Sequence, residues 1–134
     1  MVAATVAEMI EVPTKIIMRT INKDTAVPYG TMMKLEDENT VVVSASNSDP
    51  FGGICTFEKK ATDTDILKIP CAMDGVWDID TTAAAITAGA IVSIGGANTV
   101  AVTTGTADQI AGSNVGQAEE TRDTDNRIQV RLRG

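Results

Sequence analysis

The sequence predicts an all-β protein: a small barrel or sandwich built from two similar hairpins plus additional strands, preceded by an N-terminal arm. Three observations predict it. Short β-branched or alternating runs succeed one another at the spacing of turn signals. The aromatic complement is only Tyr29, Phe51, Phe57 and Trp77, so the core must come mainly from Val, Ile, Ala and Met. The stretch GTMMKLEDENTVVVS that starts at Gly30 returns as GAIVSIGGANTVAVT at Gly89, 59 residues further on (89 − 30 = 59). At 134 residues such a chain buries roughly two-thirds of the surface its unfolded form exposes, which suffices for one domain without a disulfide or a metal. We assign residues 1–14 to the arm and residues 15–134 to a single β domain.

The arm, MVAATVAEMIEVP, carries Val2, Val6, Met9 and Ile10 at the i, i+4, i+7, i+8 spacing of a short amphipathic helix. Ala3, Ala4 and Ala7 favour helix, Thr5, Val6 and Val12 disfavour it, and Pro13 stops it. A turn or two of helix and an arm that orders only against a partner are both open. From Lys15 the runs KIIMRTI and PYGTMMKL are β-prone and are separated by the turn chemistry of NKDTAVP. TVVVSAS is β-branched, SDPFGG reads as a loop, and GICTFEKK and ILKIPCAM alternate. GVWDI places Val76 and Trp77 on opposite faces of a strand. TTAAAITAGA, residues 81–90, has room for about one helical turn before Gly89. NRIQVRLRG alternates strictly, with Ile128, Val130 and Leu132 on one face and Arg127, Gln129, Arg131 and Arg133 on the other.

In the repeat, Ala26/Ala85, Gly30/Gly89, Asn39/Asn98, Thr40/Thr99, Val41/Val100 and Val43/Val102 are identical. Val27/Ile86, Met32/Ile91, Met33/Val92, Leu35/Ile94 and Ser44/Thr103 keep the same chemistry. Each copy reads as a hairpin whose return strand starts after an asparagine, the residue other than glycine that best tolerates a left-handed backbone. Two such hairpins would form opposite walls of one barrel. Their tips differ, EDE in the first and GGA in the second, and the charged tip is expected to face water.

Composition narrows the function classes. The net charge is −7, and no Lys or Arg occurs between Ile69 and Thr121, which argues against nucleic acid because nothing there displaces phosphate counterions. There is no histidine, which removes Ser-His and Cys-His catalysis, His metal sites and the usual neutral-pH proton shuttle. Cys55 and Cys71 lie on apolar runs and read as buried, inert, reduced thiols. The acids of TDTD and DGVWDID read as solvated turn acids rather than a Ca²⁺ or acid–base pair. Gly52-Gly53 and Gly95-Gly96 read as turns, since no helix follows to make a phosphate-cradling loop. With neither a signal-like segment nor an apolar run of spanning length, no membrane is expected and synthesis is expected in the cytoplasm. No enzyme activity, cofactor or metal is expected. The arginine face, Arg127, Arg131 and Arg133, reads either as a contact with a subunit or a shell, or as a charged edge that blocks unwanted pairing.

The ordered run AITAGAIVSI, NTVAVTTG, AGSNVGQAEE and closing IQVRLRG, with AVPYGTMMKL, SDPFGGICTFEKK and GVWDI upstream, resembles the phage capsid cement, or head decoration, proteins over about residues 19–134. The resemblance implies a structural virion protein on the outer surface of an expanded icosahedral head, synthesised in the host cytoplasm. It further implies a homotrimer between capsomers, with the major capsid protein as partner and no reaction. An arm of this kind would grip the shell through Val6, Met9, Ile10 and Val12. The alternative is a carbohydrate- or surface-binding β-module of a phage appendage, with Trp77 and Tyr29 as its platform; exposure of Trp77 separates the two.

Overall fold

The computed structural model describes residues 6–46, 49–81, 86–103, 114–121 and 127–132. Within them the chain forms strands and no helix: β1 Glu8–Glu11, β2 Ile16–Thr20, β3 Met32–Asp37, β4 Thr40–Val43, β5 Phe51–Cys55, β6 Lys68–Ala72, β7 Val76–Thr81, β8 Ile91–Gly96, β9 Thr99–Val102, β10 Asn114–Ala118 and β11 Arg127–Leu132. The all-β class therefore holds. The helical alternative for the arm fails at Glu8–Glu11, which is a strand, and the helical turn considered near Ala83–Ala85 lies outside the described residues.

The hairpins do not share one barrel. Strands β2–β6 close on themselves in the order β2-β4-β3-β5-β6. Strands β7–β11 follow the order β7-β11-β10-β8-β9, and β9 returns to β7 through the parallel pairs Asp80–Thr99 and Thr81–Val100. Closure leaves neither unit a long free edge, the usual way a small all-β body avoids sticking to its neighbours.

The second barrel repeats the first strand for strand. Met33–Val43 and Leu35–Val41 recur as Val92–Val102 and Ile94–Val100, and each hairpin shifts register at the same point before its turn. Met33–Gly53 and Lys34–Phe51 recur as Val92–Gly116 and Ser93–Asn114, again with a shift in between. The parallel closure Thr20–Thr40 recurs as Asp80–Thr99. Asn39 (φ 49°) and Asn98 (φ 56°) both hold the left-handed conformation that their place in the repeat predicts. Backbone bonds recur too: Gly30 N donates to Cys55 O and Gly89 N to Ala118 O, both at 2.8 Å.

The tips differ as their letters imply. Glu36, Asp37, Glu38 and Asn39 are exposed. The second tip instead lies against the first barrel: Asn98 Oδ1 accepts Met32 N at 2.8 Å, Asn98 N donates to Ser44 Oγ at 3.2 Å, and Ser44 Oγ donates to Gly96 O at 3.1 Å. Around this junction Met32, Phe51, Ile54, Ala72 and Met73 join Trp77, Ile79, Val92, Ile94, Val100, Ile128 and Val130 in one buried cluster. A second cluster, with Ile21, Val27, Met33, Val41, Cys55, Ile69 and Cys71, fills the first barrel.

The glycine-rich SDPFGG stretch is not all loop, because Phe51, Gly52 and Gly53 are buried members of β5. A Cβ on Gly52 would stand 2.8 Å from Val41 Cγ1, so these glycines serve close approach inside a strand. Gly95 and Gly96 likewise end β8 rather than standing outside it.

The repeat also exposes one mismatch. Pairing places Ile17 opposite Cys71 and Arg19 opposite Ile69, where the second barrel has Trp77 opposite Val130 and Ile79 opposite Ile128. Arg19 thus takes the place of an interior isoleucine, and its Nε is buried without a hydrogen-bond partner among the described residues. A buried unsatisfied donor costs about 1–3 kcal/mol. Arg19→Ile is expected to raise stability by about 1 kcal/mol, read as a higher urea midpoint with an unchanged slope.

Candidate interaction surface

Among the described residues, the segment from β1 to β2 carries the most exposed apolar side chains. Val12 is 78% exposed, Met18 50%, Ile16 49% and Ile10 48%, so four of the nine exposed large apolar residues among the described residues fall between positions 10 and 18. β1 lies antiparallel on β7, with Met9 opposite Trp77, and the register shift between Met9 and Glu11 turns Ile10 outward. Just before β1, the N–H of buried Ala7 donates to Gly30 O of the first barrel at 2.9 Å, so the N-terminal segment ties the two barrels together. A Cβ on Gly30 (φ 87°) would stand 2.3 Å from Ala7 O, which is why this repeat position needs glycine for more than its turn.

Asp74 fixes the bend between β1 and β2. It accepts Thr14 N at 2.8 Å, Thr14 Oγ1 at 2.5 Å and Lys15 N at 2.9 Å. These bonds, the Thr14 hydroxyl foremost, hold its carboxyl below the usual carboxylate range. A lowered folded-state value stabilises the fold above the unfolded carboxyl value of about 3.9, and that contribution is lost as pH falls through the folded value. Asp74→Asn is expected to flatten the acid limb of the stability–pH curve below about pH 4, measured by urea unfolding at a series of pH values.

The four arm residues divide. Val6 is half-buried and its carbonyl accepts Arg127 Nη2 at 3.3 Å. Met9 packs against the main cluster, whereas Ile10 and Val12 face solvent. Val6 and Met9 are therefore parts of the fold, and deleting the arm would uncover β7.

The arginines are committed within the chain. Arg127 holds Asp78 through Nε at 2.9 Å and Asp80 through Nη1 at 2.5 Å, and donates to Asp78 O at 2.7 Å. Arg131 bridges Glu119 and Glu11, each at 3.1 Å, so it pins β1 to the second barrel. β11 is not an edge, because it lies between β7 and β10. The charged-edge reading is thereby corrected: alternation points these side chains outward, but acidic neighbours on adjacent strands fill them. Arg133 lies outside the described residues.

Trp77 is fully buried, with Nε1 donating to Asp74 O at 3.1 Å, and it offers no platform to a sugar. Tyr29 is partly exposed but turns its ring toward Trp77, centroids 6.4 Å apart. Cys55 and Cys71 are buried free thiols on paired positions of β5 and β6. Burial, with some repulsion from Cys55, pushes the Cys71 thiol up to about 12, and burial raises Cys55 as well, the opposite of an activated nucleophile. Asp78 and Asp80 answer to Arg127, and Asp63 accepts Lys60 N at 2.9 Å within a turn. Among the described residues no cluster of His, Cys, Asp and Glu is arranged to hold a metal, and no helix is long and apolar enough to cross a membrane.

One buried polar residue escaped the sequence reading. Lys59 is 1% exposed, and its ammonium donates to the carbonyls of Lys23, Thr25 and Lys60 at 2.6, 2.8 and 3.3 Å. It staples the turn after β2 to the Val27–Lys59 bridge. Its parity with Cys55 in an alternating run was the available signal; its charge argued the other way. In comparison with known proteins, the sequence matches no protein-family model and no curated protein.

Proposed function

We propose that the chain is a structural virion protein, a capsid cement that binds the outer surface of the expanded phage head as a homotrimer between capsomers. The observation that carries this reading is the run of solvent-facing apolar side chains Ile10, Val12, Ile16 and Met18 on a body of two closed barrels. Isolated exposed apolar residues are ordinary, but a concentration of them beside a charged rim suits a protein–protein contact. Buried, high-pKa thiols, arginine-neutralised acids and the absence of histidine leave binding as the chemistry best served, with the major capsid protein as partner. The resemblance of the ordered motifs to those of the cement proteins supports the same reading.

A ligand that binds only the expanded lattice stabilises that lattice by mass action. The gain is about 2.7 kcal/mol per site at a hundredfold excess over the dissociation constant. Three copies of one rigid body engage together at high effective concentration, which multiplies a modest contact.

The test is co-sedimentation with procapsids and with expanded capsids. Retention by the expanded form alone is expected. An Ile10→Asp, Val12→Asp double variant, changed only at exposed positions, is expected to fold normally and bind at least tenfold more weakly. Undiminished binding, or equal retention on procapsids, would sink the proposal.

A further inference from the structure

We infer that the outward edge of β2 is a strand-addition site for an extended, acidic–apolar segment of a partner protein. The two barrels differ at this place and almost nowhere else in their pairing. In the second barrel the outward edge of β7 is shared: Asp80 and Thr81 pair with β9, while Val76, Trp77 and Asp78 pair with β1. In the first barrel Thr20 pairs with β4, but no described strand lies against Ile16, Ile17 and Met18, the residues equivalent to Val76, Trp77 and Asp78. The chain's own β1 therefore shows what this kind of edge accepts, a short antiparallel strand.

The unused groups can be named. Met73 N donates to Lys15 O, which sets the peptide groups of alternate residues toward β6 and those of Ile16 and Met18 away from it. Met18 O accepts Asn39 Nδ2 at 3.2 Å. The Ile16 N–H and C=O and the Met18 N–H have no partner among the described residues, and both side chains are about half exposed. Exposed edges are ordinarily blunted by charge, proline or a cover. Here two apolar side chains stand at the opening instead.

Charge selects the occupant. Lys68 is exposed opposite Thr20, on the face that Ile16 and Met18 share, and Lys15 is exposed beside Ile16, whereas Arg19 alternates to the barrel side of β2. Acids stand at the two ends of the edge: Asp74, occupied by Thr14 and Lys15, and Glu36, Asp37 and Glu38 in the exposed tip. A segment patterned like β1, Glu-Met-Ile-Glu, in the register that β1 takes on β7, would set its methionine opposite Ile17 and its two glutamates opposite Met18 and Ile16, on the face that carries Lys68. The assignment uses Ile16 and Met18, which the proposed shell contact also includes, but it rests on the internal repeat and its test needs no capsid, so either reading can fail without the other.

The probe is a synthetic peptide of residues 6–13, titrated into the isotope-labelled full chain and followed by amide shifts and hydrogen exchange. Saturable shifts and slowed exchange at Ile16 and Met18 are expected. Ile16→Pro, which deletes an outward N–H, and Met18→Lys, an exposed edge-blocking change, should each weaken binding at least tenfold while leaving the melting transition cooperative. A peptide carrying Glu8→Lys and Glu11→Lys should also bind at least tenfold more weakly. Absence of saturable shifts at millimolar peptide, equal binding by both variants, or shifts confined to β7 through displacement of β1 would each overturn the assignment. Self-association of the unmodified protein that Ile16→Pro abolishes would place a second copy on the edge and overturn the partner strand.

Discussion

Trp77→Ala is expected to lower stability by about 3–5 kcal/mol, the range for emptying the place of a large buried aromatic. The ring is fully buried in the main cluster, and the backbone of Trp77 pairs with Met9 on one side and Val130 on the other. Truncation therefore opens a cavity where β1, β7 and β11 meet and leaves Asp74 O without its indole donor. Trp77→Phe keeps most of the volume but loses that hydrogen bond, so it should cost about 1–2 kcal/mol. Urea unfolding measures both. Because the chain has a single tryptophan, its emission offers a second check: it should be blue-shifted, insensitive to acrylamide and unchanged by added oligosaccharides. Ready quenching by acrylamide would contradict the buried position.

Gly116→Ala should be at least as damaging, on the order of 4 kcal/mol or more, the range reserved for a severe steric conflict in a core. A Cβ there would stand 2.0 Å from Arg131 O and 2.9 Å from Leu132 Cα, and both obstacles are backbone of the paired strand β11. No rotamer change relieves that contact; β10 and β11 would have to separate. Gly89→Ala is the useful contrast, since its added Cβ meets nothing nearer than Gln117 Nε2 at 4.0 Å. Its cost is the backbone term alone at φ 93°, about 1–2 kcal/mol. Thermal unfolding of the two variants side by side should show Gly116→Ala largely unfolded at temperatures where Gly89→Ala is native; similar stabilities would refute the steric account.

Local features were legible in the sequence because local rules decide them. The strict alternation of the last strand gives buried Ile128, Val130 and Leu132, and the recurring asparagines sit at the two left-handed positions. The division into two barrels was not legible, because it depends on which distant strands meet. Nothing near Thr20 or Asp80 announces that each will close its barrel by a parallel pair with the return strand of a hairpin. The arm was left open between helix and an extended segment because four residues, Glu8–Glu11, carry too short a pattern to separate a turn of helix from a strand, and the open flank of β7 decides it. Gly52 and Gly53 were misread as a turn because glycine marks bends and close approaches alike. Of the proposed surface, Ile10 and Val12 were foreseen, whereas Ile16 and Met18 looked like ordinary members of a β run until the second barrel showed what their equivalents hold.

The crossing of β1 to the second barrel has a consequence for the order in which the molecule is made. Strands β2–β6 occupy one unbroken stretch, Ile16–Ala72, so the first barrel can close as soon as that stretch has emerged from the ribosome. β1 leaves the ribosome before all of them, yet its partner β7 begins only at Val76, and the Arg131 that pins Glu11 lies later still, in β11. β1 is thus made before its partners yet docks after them, and its docking reports that both units are complete. Domains that fold as they emerge escape much of the aggregation risk of long-range pairing, and a late clasp confines that risk to one short strand.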